Sequence, residues 1–188
     1  MATTGCELTR GRGLGGCLTT VGGVKRVYLC EFAPATTGSS ANNSVMDVFS
    51  GITNVYQYDM KRGAGSLAET VNASAEAGTV FYTPVTTVKL GKLSVADQNE
   101  LKLIAQNTLL VFVELNETHA NGNNMIFATG TDNGCVISGG TNSAGAAMGD
   151  FNGYEWTFEA NQGYPMWMLE DYSAGGVPFD NFPAVTVV

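Results

Sequence analysis

Charge is scarce in this chain. Only 14% of its 188 residues are Asp, Glu, Lys or Arg, against roughly a quarter in an ordinary soluble domain. So few charges imply that part of the surface is covered by other chains. Basic residues are the scarcer half: nine Lys and Arg against 17 Asp and Glu leave a net charge of −8. That balance is opposite to what phosphate neutralisation requires and argues against tight nucleic-acid binding. No apolar run reaches the roughly 18 residues of a membrane-spanning helix, so no membrane insertion is expected. The opening Met-Ala-Thr-Thr-Gly-Cys lacks the basic start and apolar run of a secretory signal, so the expectation is a protein made in the cytoplasm and kept there until assembly. Histidine occurs once, at His119, and Cys6, Cys17, Cys30 and Cys135 form no C-x-x-C pair. Too few ligands stand at metal-binding spacings, so no metal and no cofactor is expected. The cysteines read as buried thiols, packing as small apolar groups.

What is present favours strands. Hydrophobic residues make up 44% and aromatics 10%, enough to fill the core of a single domain spanning residues 1–188. The 24 glycines, with many Thr, Asn and Ser, suit turns and extended segments, because glycine costs about 1 kcal/mol in a helix interior. Residues 24–32 alternate as a strand. Residues 33–51, with Pro34, Gly38, Ser39, Ser40 and Asn42-Asn43-Ser44, read as a long loop. Strands at 52–60 and 67–77 flank the break Gly63-Ala64-Gly65-Ser66 and are expected to pair as a hairpin. Residues 79–90 form another strand, in which Pro84 signals an edge or a bulge. Ser94 and Asp97 resemble a capping box ahead of Leu101, Ile104 and Ala105, which predicts a helix over 95–106. Strands at 109–115 and 125–129 form a hairpin through Asn121-Gly122. A short strand at 135–138 precedes a small-residue loop at 139–153, and Tyr154, Trp156 and Phe158 alternate with Glu155, Thr157 and Glu159 in the clearest half-buried strand. The C-terminal extension, about 170–188, is too aromatic for a free linker and is expected to lie across another surface.

The motifs favour no catalytic residue. Gly11-Arg12-Gly13-Leu14-Gly15-Gly16 fits G-x-G-x-x-G, but no strand precedes it and no helix follows, so dinucleotide binding is set aside. His119 sits in a polar hairpin tip, away from any nucleophile. Glu114, Glu117, Asp132, Asp150, Glu155, Glu159, Glu170 and Asp171 are candidates for glycoside chemistry, which needs two carboxyls roughly 5 to 9.5 Å apart; solvated faces are the default for all eight. The sequons at Asn42, Asn72 and Asn116 read as chance. Trp167 suits either a carbohydrate platform or, better, a plug for a subunit interface.

Two segments resemble a family of virion structural proteins of tailed bacteriophages, of the tail tube and head-tail joining type found in phages of Bacteroidetes. The first is Cys17-Leu18-Thr19-Thr20-Val21-Gly22-Gly23-Val24-Lys25-Arg26-Val27-Tyr28-Leu29, and the second is Gly149-Asp150-Phe151-Asn152-Gly153-Tyr154-Glu155-Trp156-Thr157-Phe158-Glu159-Ala160. The ordered similarity runs from about residue 15 to 169. The tip Glu117-Thr118-His119-Ala120-Asn121-Gly122-Asn123-Asn124 expands the family's shorter turn. The resemblance implies a mainly β protein, a twisted β-sandwich or barrel with one flanking helix, forming rings, commonly of six, that stack into a conduit for DNA in the virion. Its partners would be copies of itself and neighbouring virion proteins, with DNA passing through without specific binding. The loops 33–51 and 139–153 would reach the next ring. A head-tail connector or tail terminator ring is the alternative within the family, and a carbohydrate-binding adhesive module with exposed tryptophans is the alternative outside it.

Overall fold

The structure, a computed structural model, describes residues 11–13, 20–33, 37–39, 45–172, 176–182 and 184–188. Along the chain run β1 (Val24–Glu31), β2 (Thr37–Ser39), β3 (Val45–Met46), β4 (Val48–Ser50), β5 (Asn54–Asp59), β6 (Gly65–Ser74) and β7 (Thr79–Gly91). Then come α1 (Val95–Gln106), β8 (Leu109–Thr118), β9 (Asn124–Thr129), β10 (Val136–Ser143), β11 (Gly153–Glu159), β12 (Trp167–Leu169) and β13 (Thr186–Val187). A seven-stranded sheet, ordered β13-β5-β1-β8-β9-β12-β3, packs against a four-stranded antiparallel sheet, ordered β10-β11-β7-β6, and β2 pairs with β4. The fold is therefore mainly β, two layers with one helix.

The apolar run at the start of β8 sets the layering. Leu109, Leu110, Val111, Phe112 and Val113 are all buried, and successive strand residues point to opposite faces. A run apolar on both faces needs cover on both. On one side Val111 and Val113, with Val27 and Leu29 of β1, meet Val88, Tyr154, Trp156 and Phe158 of the four-stranded sheet. On the other, Leu110 and Phe112, with Tyr28 and Cys30, meet Met46, Ile52, Val55, Tyr172, Phe179 and Phe182. Each fully buried side chain of this size contributes about 1.5–3 kcal/mol.

The second cover comes mostly from the C-terminus. The aromatic residues of the extension that the structure describes, Tyr172, Phe179 and Phe182, lie across the chain's own sheet. Phe179 sets its ring edge-on to Tyr28 and Phe112, each centroid 5.1 Å away, although its φ of +72° is unfavourable for a side-chain-bearing residue. Burial holds that strain. The chain ends on the edge of β5, where Thr186 N–H donates to the Thr53 carbonyl at 2.8 Å and Val188 N–H to the Val55 carbonyl at 2.9 Å.

The helix matches its expected span. Ser94 Oγ accepts the Asp97 N–H at 3.1 Å, the capping bond its sequence suggested. Tyr154 of β11 donates its hydroxyl to the Ser94 carbonyl at 3.0 Å, fixing the helix start to the sheet, and Ile104 is buried in the inter-sheet core.

Four sequence expectations change. β5 and β6 do not form a hairpin: β5 pairs with β1, β6 with β7, because the turn through Gly63, at φ +74°, carries the chain from one layer to the other. Pro84 lies in an interior strand. It faces the end of β11, where its carbonyl accepts Ala160 N–H at 3.2 Å and its missing donor forfeits the reciprocal bond. Within 33–51, β2 and β4 pair and Met46 is fully buried, so the described part of that loop is short strands; Pro34, Ser40 and Asn42 to Ser44 lie outside the described residues. Finally, residues 139–143 belong to β10 and pair with β11, which shortens the loop to 144–152.

Phe179→Ala is expected to lower unfolding stability by about 3–5 kcal/mol, read as a drop in urea midpoint. An unchanged midpoint would mean that the C-terminal segment lies outside the cooperative core.

Candidate assembly interface

The eight carboxylates singled out in the sequence are dispersed. Glu117 accepts the Val21 N–H at 2.6 Å and Asp132 the Gly163 N–H at 3.3 Å. Asp171 takes the side-chain amides of Asn121 and Asn123, which ties the β8–β9 tip to the segment after β12. His119 is half-buried in that tip, its N–H bonded to the Asn123 carbonyl at 2.8 Å. Of the glycine motif, Gly11, Arg12 and Gly13 are exposed and in no strand or helix, while 14–16 lie outside the described residues.

Glu114 departs from the solvated default. It is 1% exposed, accepts the Tyr28 hydroxyl at 2.6 Å, and lies 2.9 Å from Lys25 Nζ and 3.6 Å from Arg26. Arg26 also meets Asp59 at 3.0 Å. Burial, then the hydrogen bond to Glu114, pushes the Tyr28 hydroxyl well above the ordinary tyrosine value, so it remains a neutral donor. This network pins the end of the β1–β8 ladder.

The two described cysteines are free and buried. Burial pushes the Cys30 thiol up to about 12 and Cys135 up to about 11, so neither is a nucleophile near neutral pH. Cys6 and Cys17 lie outside the described residues.

The four-stranded sheet is different from the rest of the molecule, because one face of it is bare. With Leu67, Val88, Trp156 and Phe158 turned to the core, the register sends Ser66, Ala68, Thr70, Val85, Thr87, Lys89, Glu155, Thr157 and Glu159 outward. Its charges are one cation against two carboxylates, with Lys89 and Glu155 paired at 3.0 Å. Both sheet edges are also open among the described residues. β10 reads Val-Ile-Ser-Gly-Gly-Thr-Asn-Ser, an edge with no charge and no proline, the devices that ordinarily prevent edge-to-edge pairing.

The sheet's ends differ too. Between Gly91 and Thr79, β7 runs on past β11, whose ladder ends at Val85 opposite Glu159, and stays bonded to the segment after β11 as far as Tyr82, which bridges Gln162. The tip of the β6–β7 hairpin beyond that bridge overhangs the body, and Val71 and Val80, on the core-facing side of the pleat, are 58% and 55% exposed. At the opposite end the loop 144–152 presents Met148 and Phe151 to solvent.

The second segment of the family resemblance begins in that loop and continues into β11, and its residues have local structural roles. Asp150 accepts the amides of Ala146 and Ala147 at 2.8 and 2.7 Å, and the Asn152 carbonyl accepts Lys92 N–H at 2.8 Å. A Cβ on Gly153 would lie 2.0 Å from the Leu90 carbonyl oxygen, so only glycine lets β11 start there. The resemblance points to the loop at 139–153 as a contact, but the two open sheet edges and the overhang are not legible in the sequence, because they arise from pairing and not from residue type.

The two amides hold the Asp150 carboxyl below the ordinary aspartate range. A carboxyl whose folded value is depressed stabilises its loop above the unfolded value and loses that contribution as pH falls through the folded one. The Ala146 and Ala147 amide resonances are therefore expected to titrate together with a midpoint below that of an unperturbed aspartate, and Asp150→Asn to remove the transition. A midpoint at the ordinary value would contradict the capping role.

Compared with protein-family models, curated proteins and solved structures, the chain matches none of them.

Proposed function

We propose that this chain is a virion structural protein of a tailed phage, a tail tube subunit that assembles into stacked rings forming a conduit for DNA. The observation that carries the reading is the four-stranded sheet, with two open edges and one bare face. Its strands alternate in direction from β10 to β6. A copy related by rotation therefore sets its β10 antiparallel to the β6 of its neighbour, which is a heterologous contact that closes into a ring.

The dimensions fit. Four strands at about 4.8 Å each occupy about 19 Å of circumference, so six copies give roughly 115 Å and a bore of about 37 Å between backbones, ample for a duplex. The face turned to the bore would be the bare one, rich in hydroxyls and net acidic, which lets a polyanion pass without adhering. The other sheet suits this role less, because its central strands β1 and β8 are covered on both faces. The adhesive reading is less favoured, because Trp156 is 2% exposed and Trp167 is half-buried beside Tyr164, on which it stacks with centroids 4.7 Å apart.

Negative-stain electron microscopy across a concentration series tests the reading. Hollow tubes are the expected result; isolated rings would move the assignment to a connector or terminator, and monomers at every concentration would contradict ring assembly. Gly139→Lys, placed on the open edge where a side chain meets nothing within 4 Å, is expected to keep the monomer folded and abolish the rings.

A further inference from the structure

The two ends of the four-stranded sheet carry opposite charge beside exposed apolar residues. At one end are Lys61 and Arg62 in the β5–β6 turn and Lys92 after β7, all exposed, next to Met148 and Phe151. They belong together in space: a Cβ on Gly91 would lie 3.5 Å from Lys61 Nζ, and Lys92 is bonded to Asn152. None of the three cations takes part in an ion pair among the described residues. The carboxylates nearby are engaged, Asp97 accepting the Ser94 hydroxyl, Asp150 its two amides and Glu155 paired with Lys89.

The overhanging end is the complement. Val71 and Val80 continue the core-facing apolar row toward the hairpin tip and are more than half exposed, and Glu76 at the tip and Glu159 at the end of β11 form no ion pair among the described residues. No Lys or Arg occurs from residue 63 to 88, or anywhere after Lys102. The carboxylates at this end therefore have no cation nearby in sequence to neutralise them.

From this juxtaposition we propose that the overhanging β6–β7 hairpin docks on the basic end of a second copy of this chain. Val71 and Val80 cover Met148 and Phe151, while Glu76 and Glu159 meet Lys61, Arg62 and Lys92. The contact is head-to-tail and runs along the strands, so it stacks copies axially and does not close a ring. It rests on the assembly reading for its setting but not for its chemistry. Opposite charges flanking an apolar centre also fix the polarity, because two like ends repel.

Charge reversal at each end tests it. Lys61→Glu/Arg62→Glu/Lys92→Glu makes both ends acidic, and Glu76→Lys/Glu159→Lys makes the hairpin end basic. Each variant alone is expected to keep the wild-type melting temperature and to lose axial stacking by sedimentation velocity, and an equimolar mixture to restore it. Val71→Ser/Val80→Ser is expected to weaken stacking tenfold or more without a charge change. A triple variant that stacks like wild type, or a mixture that restores nothing, would overturn the proposal. If rings form and the triple variant still stacks, the docking fails and the ring reading stands. If wild type forms no rings yet the mixture associates, the ring reading fails and the docking stands.

Discussion

Strands β1 and β8 lie between apolar layers on both of their faces, and the rest of the molecule is arranged to supply those layers. One layer is the four-stranded sheet; the other is the C-terminal segment with Met46, Ile52 and Val55. Neither strand is stable alone, since a bare apolar face would stay in water. Glu114 sits inside this double cover, and its burial is tolerable only because Tyr28, Lys25 and Arg26 reach it. Removing one partner of such a buried pair typically costs about 3–5 kcal/mol, since the other charge is left uncompensated.

The same constraint decides which surface is free. Every strand of the seven-stranded sheet near the centre is spent on the core, and the C-terminal strand caps one edge of that sheet on β5. Open hydrogen-bonding edges and a bare face remain on the four-stranded sheet, together with an overhanging hairpin at one end and a basic, apolar loop cluster at the other. In the proposed assembly lateral growth would use edges and axial growth would use ends, so the two directions would rest on separate residues and could be disabled separately.

Local features were legible in the sequence where one residue acts on its neighbours. Ser94 and Asp97 marked the helix start because a cap is a contact three residues long. The alternation in Tyr154, Trp156 and Phe158 marked a strand with one buried face. The apolar run from Leu109 showed a strand, but the cover on its second face comes from Phe179 and Phe182, some 70 residues away in the chain, and no local pattern encodes that. For the same reason β5 and β6 read as a hairpin, and Glu114 read as solvated. Pro84 misled because a proline needs only one absent donor site, which the end of a ladder provides within an interior strand. The candidate interface was the least legible part, since an edge strand differs from a central one only in what lies beside it.

Amide hydrogen exchange compared between dilute monomer and assembled protein tests the central claim most directly, because a strand edge either gains hydrogen-bond partners or does not. Assembly through the open edges predicts that amides in Val136–Ser143 and Gly65–Ser74 become protected on assembly while those of β1 and β8, already protected in the monomer, change little. Equal exchange of the two edge strands in both states, with protection gained elsewhere, would contradict it.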